Sequence, residues 1–264
     1  MNDSTYLTDP TKGPPLKQLL LLWGLALIIA FIGLGELSLR DFDEGIVARV
    51  SYELTQKKGL EILLPTLWDA PYLNKPPGLH WLIAGTIALT KQGATPLSEP
   101  PTEFVVRLVP AFLSTLVVPF GGLLQWEIRK GDRVSCLTTS AILLTLLPIA
   151  RHGRLAMLDG PCLSAIALLW LLIASNKQTP GDRFRLLGLG LTGSCMLMLK
   201  APLIIPASIA AVVPSVWSRE LRAWWNWKFS IWLGLGLLPG FAWHIWHGLQ
   251  RGTQAFWLWG GDGA

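Results

Sequence analysis

Carboxylates gather directly after the first long apolar segment of this chain. Asp41, Asp43 and Glu44 lie within four residues of one another, and Lys75 follows in a second polar stretch at 71–77. Further charged residues stand between later apolar segments, at Arg151, His152, Arg154, Asp159 and Lys200. Cations bind phosphate oxygens and stabilise a leaving group, while a carboxylate can deprotonate an acceptor. The set indicates a site that handles a phosphate and activates a nucleophile.

The composition is typical of a protein embedded in a bilayer. Of the 264 residues 51% are hydrophobic and 15% are charged, which is less charge than soluble domains carry. Apolar stretches of about 14 to 25 residues recur, the length of membrane-spanning helices. Several of the 14 Trp flank these stretches, as interfacial Trp do. We therefore predict an all-α, polytopic membrane protein.

The net charge of +5 does not indicate a nucleic-acid partner. Lys and Arg fall in short clusters between apolar runs, where they determine membrane topology. We predict seven spans, at 19–37, 104–126, 134–150, 161–174, 186–199, 201–217 and 229–247. The resulting parts are a disordered cytoplasmic tail at 1–16, a transmembrane catalytic module at 17–247 and an outer-face tail at 248–264. We expect the outer-face tail to lead into a further C-terminal half.

The long first outer loop, 38–103, decides this topology. It contains an amphipathic helix at 44–57 and a short apolar helix at 78–90. The second is short for a crossing, so we predict that both lie at the membrane surface. The basic clusters at 129–133, 177–185 and 219–228 follow the second, fourth and sixth spans, and they then face the cytoplasm, as the positive-inside rule requires. If 78–90 crossed, every one of those clusters would face outward.

Four segments together resemble one known family. Asp43-Glu44 and the stretch 74–81, NKPPGLHW, are similar to the first outer loop of GT-C glycosyltransferases. The stretch 153–161, GRLAMLDGP, resembles their second outer-loop motif, and 199–202, LKAP, resembles their helical hairpin tip. The similarity is to the family 39 type, which includes protein O-mannosyltransferases and the lipid A aminoarabinose transferase.

The resemblance implies transfer of a sugar from a polyprenyl-phosphate donor to a protein, lipid or glycan acceptor. The site would face outward from a membrane, which we expect to be the bacterial inner membrane. Asp43 would be the catalytic acid/base. Substrate-binding residues would be Glu44 and Asp159 in the cavity, with the donor phosphate held by Lys75, Arg154 and Lys200.

No cofactor is predicted, and no metal. Some family members carry a metal-linked Glu at the position that here is Asn74. Because this carboxylate is missing, a divalent metal is kept only as the alternative. The three cysteines, at 136, 162 and 195, lack metal-site spacing.

Other functions stay open at this point. A transporter or channel subunit would need charges within its spans, which here contain almost none, apart from Arg107 near an end. A non-catalytic scaffold or a truncated, inactive relative is the third alternative. For the acidic cluster itself, the alternative is that it only places negative charge at the N-terminus of helix 44–57.

Overall fold

The computed structural model describes residues 13–40, 42–91, 101–129, 131–175, 183–217 and 227–254. Parts of several predicted features lie outside these residues: most of the N-terminal tail, the end of the C-terminal tail, and individual charged residues, namely Asp41, Lys130, Lys177, Arg219 and Arg222.

The described residues form ten α-helices and one two-stranded sheet. The helices are α1 Leu16–Phe31, α2 Asp43–Gln56, α3 Gly78–Lys91, α4 Glu103–Thr115, α5 Val117–Ile128, α6 Arg133–Thr145, α7 Asp159–Ser175, α8 Arg183–Lys200, α9 Ile204–Trp217 and α10 Trp227–Arg251. The strands β1 Thr66–Leu67 and β2 Ala70–Pro71 pair antiparallel.

Both helices predicted in the first loop are present, as α2 and α3, within one residue of the predicted bounds. Each has one buried stripe. In α3 the stripe is Leu79, Ile83 and Ile87, all 0% exposed and spaced four residues apart, which places them on one helix face. Packing of this stripe against α2 and α4 holds the first loop on the helix bundle.

Two helical runs are long and apolar enough to cross a membrane by length and composition, Glu103–Ile128 and Arg183–Ala210. The second run is not straight. Its backbone leaves the helical region at Lys200, with φ −153° and ψ 84°, and a Cβ at Gly193 would lie 3.5 Å from Cδ1 of Ile204. Since α9 thus folds back along α8, the predicted hairpin at 199–202 is present.

Three predicted spans end elsewhere in the structure. The helix of the span 19–37, α1, ends at Phe31. The span 134–150 is α6 only as far as Thr145, and a π-helical turn, Pro148–His152, follows. The backbone leaves the helical region at Leu146, with φ −63° and ψ 118°, and Pro148, two residues later, has no N–H with which to continue the helical hydrogen bonds. The last helix, α10, continues to Arg251 and so extends into the predicted outer-face tail.

The main core lies beneath the charged segments of the sequence. It joins α2, α3, α4, α7, α8 and the segment before α7 through buried apolar residues, among them Val47, Leu79, Val106, Ala156 and Leu199. Each of the four motif-bearing segments contributes to this core or borders it. Packing therefore brings motifs together that lie up to about 150 residues apart in sequence.

Helices α8 and α10 cross at glycines. A Cβ at Gly190 would lie 2.4 Å from the Leu233 carbonyl oxygen, and one at Gly236 would lie 2.5 Å from the Leu187 carbonyl oxygen. Small residues permit such close backbone approach between membrane helices. The far end of α10 is fixed to the first loop, because Trp243 Nε1 donates to the Leu63 oxygen over 2.9 Å.

The β1–β2 hairpin is anchored to α2 by one carboxylate. Trp68 and Asp69 form its turn with φ of 54° and 63°, the left-handed geometry of a tight two-residue hairpin loop. Glu53 accepts hydrogen bonds from the Trp68 N–H at 2.7 Å and the Thr66 hydroxyl at 2.6 Å. Burial would raise the pKa of Glu53, but these bonds and one from Arg49 outweigh it and lower the pKa.

The topology can be tested directly with reporter fusions. If α3 lies at the surface, a reporter after Arg129 should read cytoplasmic and one after Arg154 should read external, because basic loops are retained inside. Fusions after Lys177 and Arg222, which lie outside the described residues, should also read cytoplasmic. The inverted pattern at all four points would overturn the seven-span arrangement.

Candidate active site

A buried ion pair joins the first outer loop to α4. Glu44, in the first turn of α2, is 0% exposed, and Arg107, in α4, is 4% exposed. Arg107 donates through Nε to Glu44 Oε1 at 2.8 Å and through Nη2 to Oε2 at 2.7 Å. Such a bidentate pair is strong and fixes the relative orientation of the two side chains. It locks α2 to α4.

The same pair also holds three further segments. Glu44 Oε1 accepts from the Ala156 N–H at 2.8 Å, and Oε2 accepts from the Arg40 N–H at 3.2 Å. Arg107 also donates to three carbonyl oxygens at the end of the first apolar segment, those of Leu34, Leu37 and Ser38. Burial alone would raise the pKa of Glu44, but its bonds to Arg107, Ala156 and Arg40 outweigh it and lower the pKa. Glu44 is therefore ionised and enclosed.

Asp43 lies beside this anchor with its side chain exposed. Phe42 is the N-cap of α2 and makes no side-chain capping bond. The carboxylate that bonds back to the backbone preceding α2 is that of Glu44, which accepts from the Arg40 N–H. Asp43 is thus held at a fixed place on the surface, next to the residue that contacts the segment before α7.

Three of the predicted site residues cluster where α3, α7 and α8 meet. Lys200 Nζ lies 3.3 Å from Asp159 Oδ1, and these side chains are 44% and 62% exposed. Lys75, which is also exposed, stands three residues before Gly78, where an added Cβ would lie 2.7 Å from Cβ of Met198, two residues before Lys200. We call Lys75, Asp159 and Lys200 the charged trio. Among the described residues no carboxylate pairs with Lys75.

A cavity of about 900 Å³ opens next to the charged trio. Its walls come from α3, α4, α5, α7, α8 and α10, and they are almost entirely apolar. Three lining residues, Gly78, Pro161 and Leu199, stand within three positions of Lys75, Asp159 and Lys200 in the sequence. The lining itself holds no charged residue, and the charged trio adjoins it through these three neighbours. A molecule with a long apolar part and an anionic head fits this arrangement.

Arg154 lines a different cavity from the one beside the charged trio. This second cavity, of about 490 Å³, lies at the end of the first apolar segment, and it also takes in Arg40, Arg151, Glu36 and the Glu44–Arg107 pair. A guanidinium nitrogen of Arg154 donates to the Ile32 carbonyl oxygen. The structure therefore groups the predicted site residues in two places.

Sequence reasoning did not identify Arg107 as the partner of Glu44. The two are 63 residues apart, and an Arg near the end of an apolar run is usually a topology determinant. One feature of the sequence could have indicated the buried role of Arg107. This arginine lies four residues after Glu103, where α4 begins, and so within an apolar helix. Nor did the sequence identify Arg40 as a cavity residue. Within the described ranges no three His, Cys, Asp or Glu side chains converge as metal ligands would.

Comparison with known proteins identifies the family. The family model of dolichyl-phosphate-mannose-protein mannosyltransferases matches residues 74–253, about two thirds of the chain. The chain belongs to this mannosyltransferase family. A search of the curated proteins found no significant match.

Solved structures share the fold of this mannosyltransferase-family chain. ArnT from Cupriavidus metallidurans bound to undecaprenyl phosphate matches with a TM-score of 0.69 and 17% identity, over 90% of this chain and 42% of ArnT. Its apo structure matches with a TM-score of 0.72 and 17% identity, over 94% of this chain and 44% of ArnT.

The comparisons confirm the predicted fold class, an all-α polytopic membrane protein, and the predicted glycosyltransferase family. The chain spans less than half the length of the solved structures that it matches.

Proposed function

We propose that this chain is the membrane module of a glycosyltransferase that takes its sugar from a polyprenyl-phosphate donor. The observation that carries the proposal is the apolar cavity that the charged trio adjoins. The polyprenyl chain would lie against the apolar walls, and the phosphate would bind Lys75 and Lys200. ArnT, whose fold this chain shares, was crystallised with undecaprenyl phosphate, which supports this class of donor.

The reaction needs a base for the acceptor and a site for the leaving phosphate. We assign the first role to Asp43 and the second to Lys75 and Lys200. As the acceptor oxygen bonds to the anomeric carbon, its proton passes to the Asp43 carboxylate. The bond from that carbon to the phosphate oxygen breaks, and the electron pair leaves with polyprenyl phosphate, whose charge the two lysines stabilise. Asp159, paired with Lys200, would orient that lysine.

Glu44 is assigned a different role from the one the resemblance implied. Its carboxylate is buried and accepts from Arg107, Ala156 and Arg40, so it is engaged before any substrate binds. We propose that it positions Asp43 and does not touch the donor. Arg154 in turn lies in the cavity at the end of the first apolar segment, away from the apolar tail site. No step of this proposal requires a metal.

The location follows from the same arrangement. The family and fold make this an integral membrane protein. We further propose that the trio and Asp43 face outward from a bacterial inner membrane, because the first loop, the segment before α7 and the α8–α9 turn share one side in the positive-inside topology.

The proposed activity is tested by incubating the purified protein with polyprenyl-phosphate sugars and following release of the free carrier. This chain spans less than half the length of the solved structures that it matches. A longer protein that contains it should therefore be assayed in parallel where one exists. Carrier release that requires an added acceptor supports the proposal. Transport of solute without carrier release, in reconstituted vesicles, would favour the transporter alternative.

Donor binding should weaken when the trio loses a lysine. Hydrogen bonds to charged groups contribute about 1.5–3 kcal/mol when one partner is removed, and the exposure of Lys75 favours the lower end. Lys75→Ala should therefore weaken undecaprenyl phosphate binding about tenfold, measured by thermal-shift titration. Lys58→Ala, which removes an exposed lysine elsewhere in the same loop, is the matched control. Equal affinities in the two variants would show that the phosphate binds elsewhere.

A further inference from the structure

The second cavity carries more positive charge than the structure neutralises. Its charged lining residues are four arginines and two glutamates. The buried pair Glu44–Arg107 cancels itself, so Arg40, Arg151 and Arg154 remain against Glu36. Three cations against one carboxylate leave two positive charges in a space of about 490 Å³. Arginines stay protonated at any working pH, so this charge is permanent.

Among the residues that the structure describes, these cations form no ion pair. Within the described ranges neither Arg40 nor Arg151 contacts a carboxylate, and both side chains are exposed to the cavity or its mouth. Arg154 uses one guanidinium nitrogen on the Ile32 carbonyl oxygen and keeps further donors, since a guanidinium carries five N–H groups. Guanidinium groups of this kind match phosphate and carboxylate oxygens in pairs.

The second cavity is lined by residues on either side of the proposed base in the sequence. Arg40 and Glu44 both line it, and Asp43 stands between them in the sequence, next to Glu44. The donor is assigned to the other cavity, whose lining residues are not shared with this one. The space next to Asp43 that remains for a second substrate is therefore the arginine-lined one.

We propose that the second cavity binds the acceptor through an anionic group, a phosphate or a carboxylate, held by Arg40, Arg151 and Arg154. The acceptor hydroxyl then faces Asp43. This inference rests on the proposed function, and it narrows the acceptor class from protein, lipid or glycan to molecules that carry a negative charge near the reacting hydroxyl. A neutral acceptor leaves an excess of two positive charges in the cavity lining without a counter-charge.

The test uses binding, so that it does not depend on turnover. Glucose 6-phosphate, glucuronate and glucose are titrated against the whole purified chain in detergent, and affinity is read by calorimetry. We expect the two anions to bind at least tenfold more tightly than glucose. Arg40→Gln combined with Arg151→Gln should remove that preference, since each loses a charge-assisted hydrogen bond. Arg129→Gln, an exposed arginine on the opposite loop, should retain it.

Two further measurements separate this inference from the proposed function. Lys75→Gln should leave the anion preference intact, and the double arginine variant should bind undecaprenyl phosphate as the wild type does. An anion preference that disappears in Lys75→Gln would place the anion at the trio and overturn the inference alone. Equal binding of glucose and its anionic relatives would also overturn it, as would Arg40- and Arg151-dependent binding seen only with phosphatidylglycerol micelles, which would assign the site to a lipid headgroup.

Discussion

Asp43→Asn is expected to lower the turnover of sugar transfer by about 100-fold or more, while the donor still binds. The amide has nearly the shape of the carboxylate but cannot accept the acceptor's proton. It can still lie in the first turn of α2, where loss of the negative charge next to the helix N-terminus costs at most about 1 kcal/mol. If the acidic cluster serves only the helix, the variant should therefore transfer sugar at nearly the wild-type rate.

The measurement is carrier release under saturating donor, with undecaprenyl phosphate affinity determined on the same preparation. Asp69→Asn provides a matched control, since it makes the same change at another exposed acid of the first loop, in a left-handed turn that Asn tolerates. A loss of turnover accompanied by an equal loss of donor affinity would point to a disturbed site and not to a missing base. Wild-type transfer by Asp43→Asn would remove Asp43 from the mechanism.

Glu44→Gln is expected to produce the largest loss of stability. Removing one member of a buried pair leaves the other charge uncompensated, at a cost of about 3–5 kcal/mol. For a chain of this size that corresponds to a fall in Tm of about 6–20 °C, read by thermal unfolding in detergent. Asp159→Asn breaks the exposed pair with Lys200 by the same carboxylate-to-amide change and should lower Tm little, because exposed pairs contribute at most about 1 kcal/mol.

The double variant Glu44→Gln with Arg107→Met tests the same point. Arg107→Met also removes the bonds to three carbonyl oxygens, so the loss in the double variant is compared with those of the two single variants. It should be smaller than their sum, because the two charges interact. Additive losses would contradict the role of the pair. The stability advantage of the wild type over Glu44→Gln also depends on pH. The pKa of Glu44 lies below its usual 4.5 in the folded chain, so the advantage is full above pH 4.5 and shrinks as the pH falls through the folded value.

The first loop shows how much of the fold the sequence could predict. The helices α2 and α3 were predictable because each carries a strong local pattern, an amphipathic stripe or a continuous apolar run. The hairpin at Thr66–Pro71 was not, because its turn residues, Trp68 and Asp69, are not the glycines or asparagines that announce left-handed geometry. Their conformation depends on Glu53, a contact that no local pattern reveals.

The types of residue in the candidate site were predictable from the sequence. Which of these residues lie together in the structure was less predictable. Motif resemblance marked Lys75, Asp159 and Lys200. The structure pairs Asp159 with Lys200 and packs Gly78, three residues after Lys75, against Met198 near Lys200. Glu44 and Arg154 were assigned to the substrate by the same reasoning. Their positions depend on which neighbours pack around them, and the neighbour that decides for Glu44, Arg107, is 63 residues away.

The Glu44 carboxylate also sets an order of events during synthesis. Its partners Arg107 and Ala156 leave the ribosome 63 and 112 residues later. At about 5–20 residues per second, α2 must wait roughly 6–22 s before both have emerged. Until then docking would bury an unpaired charge, so we expect the first loop to stay in water at the membrane surface. Nascent chains arrested before Arg107 emerges should therefore expose α2 to protease, and chains arrested after α7 should protect it.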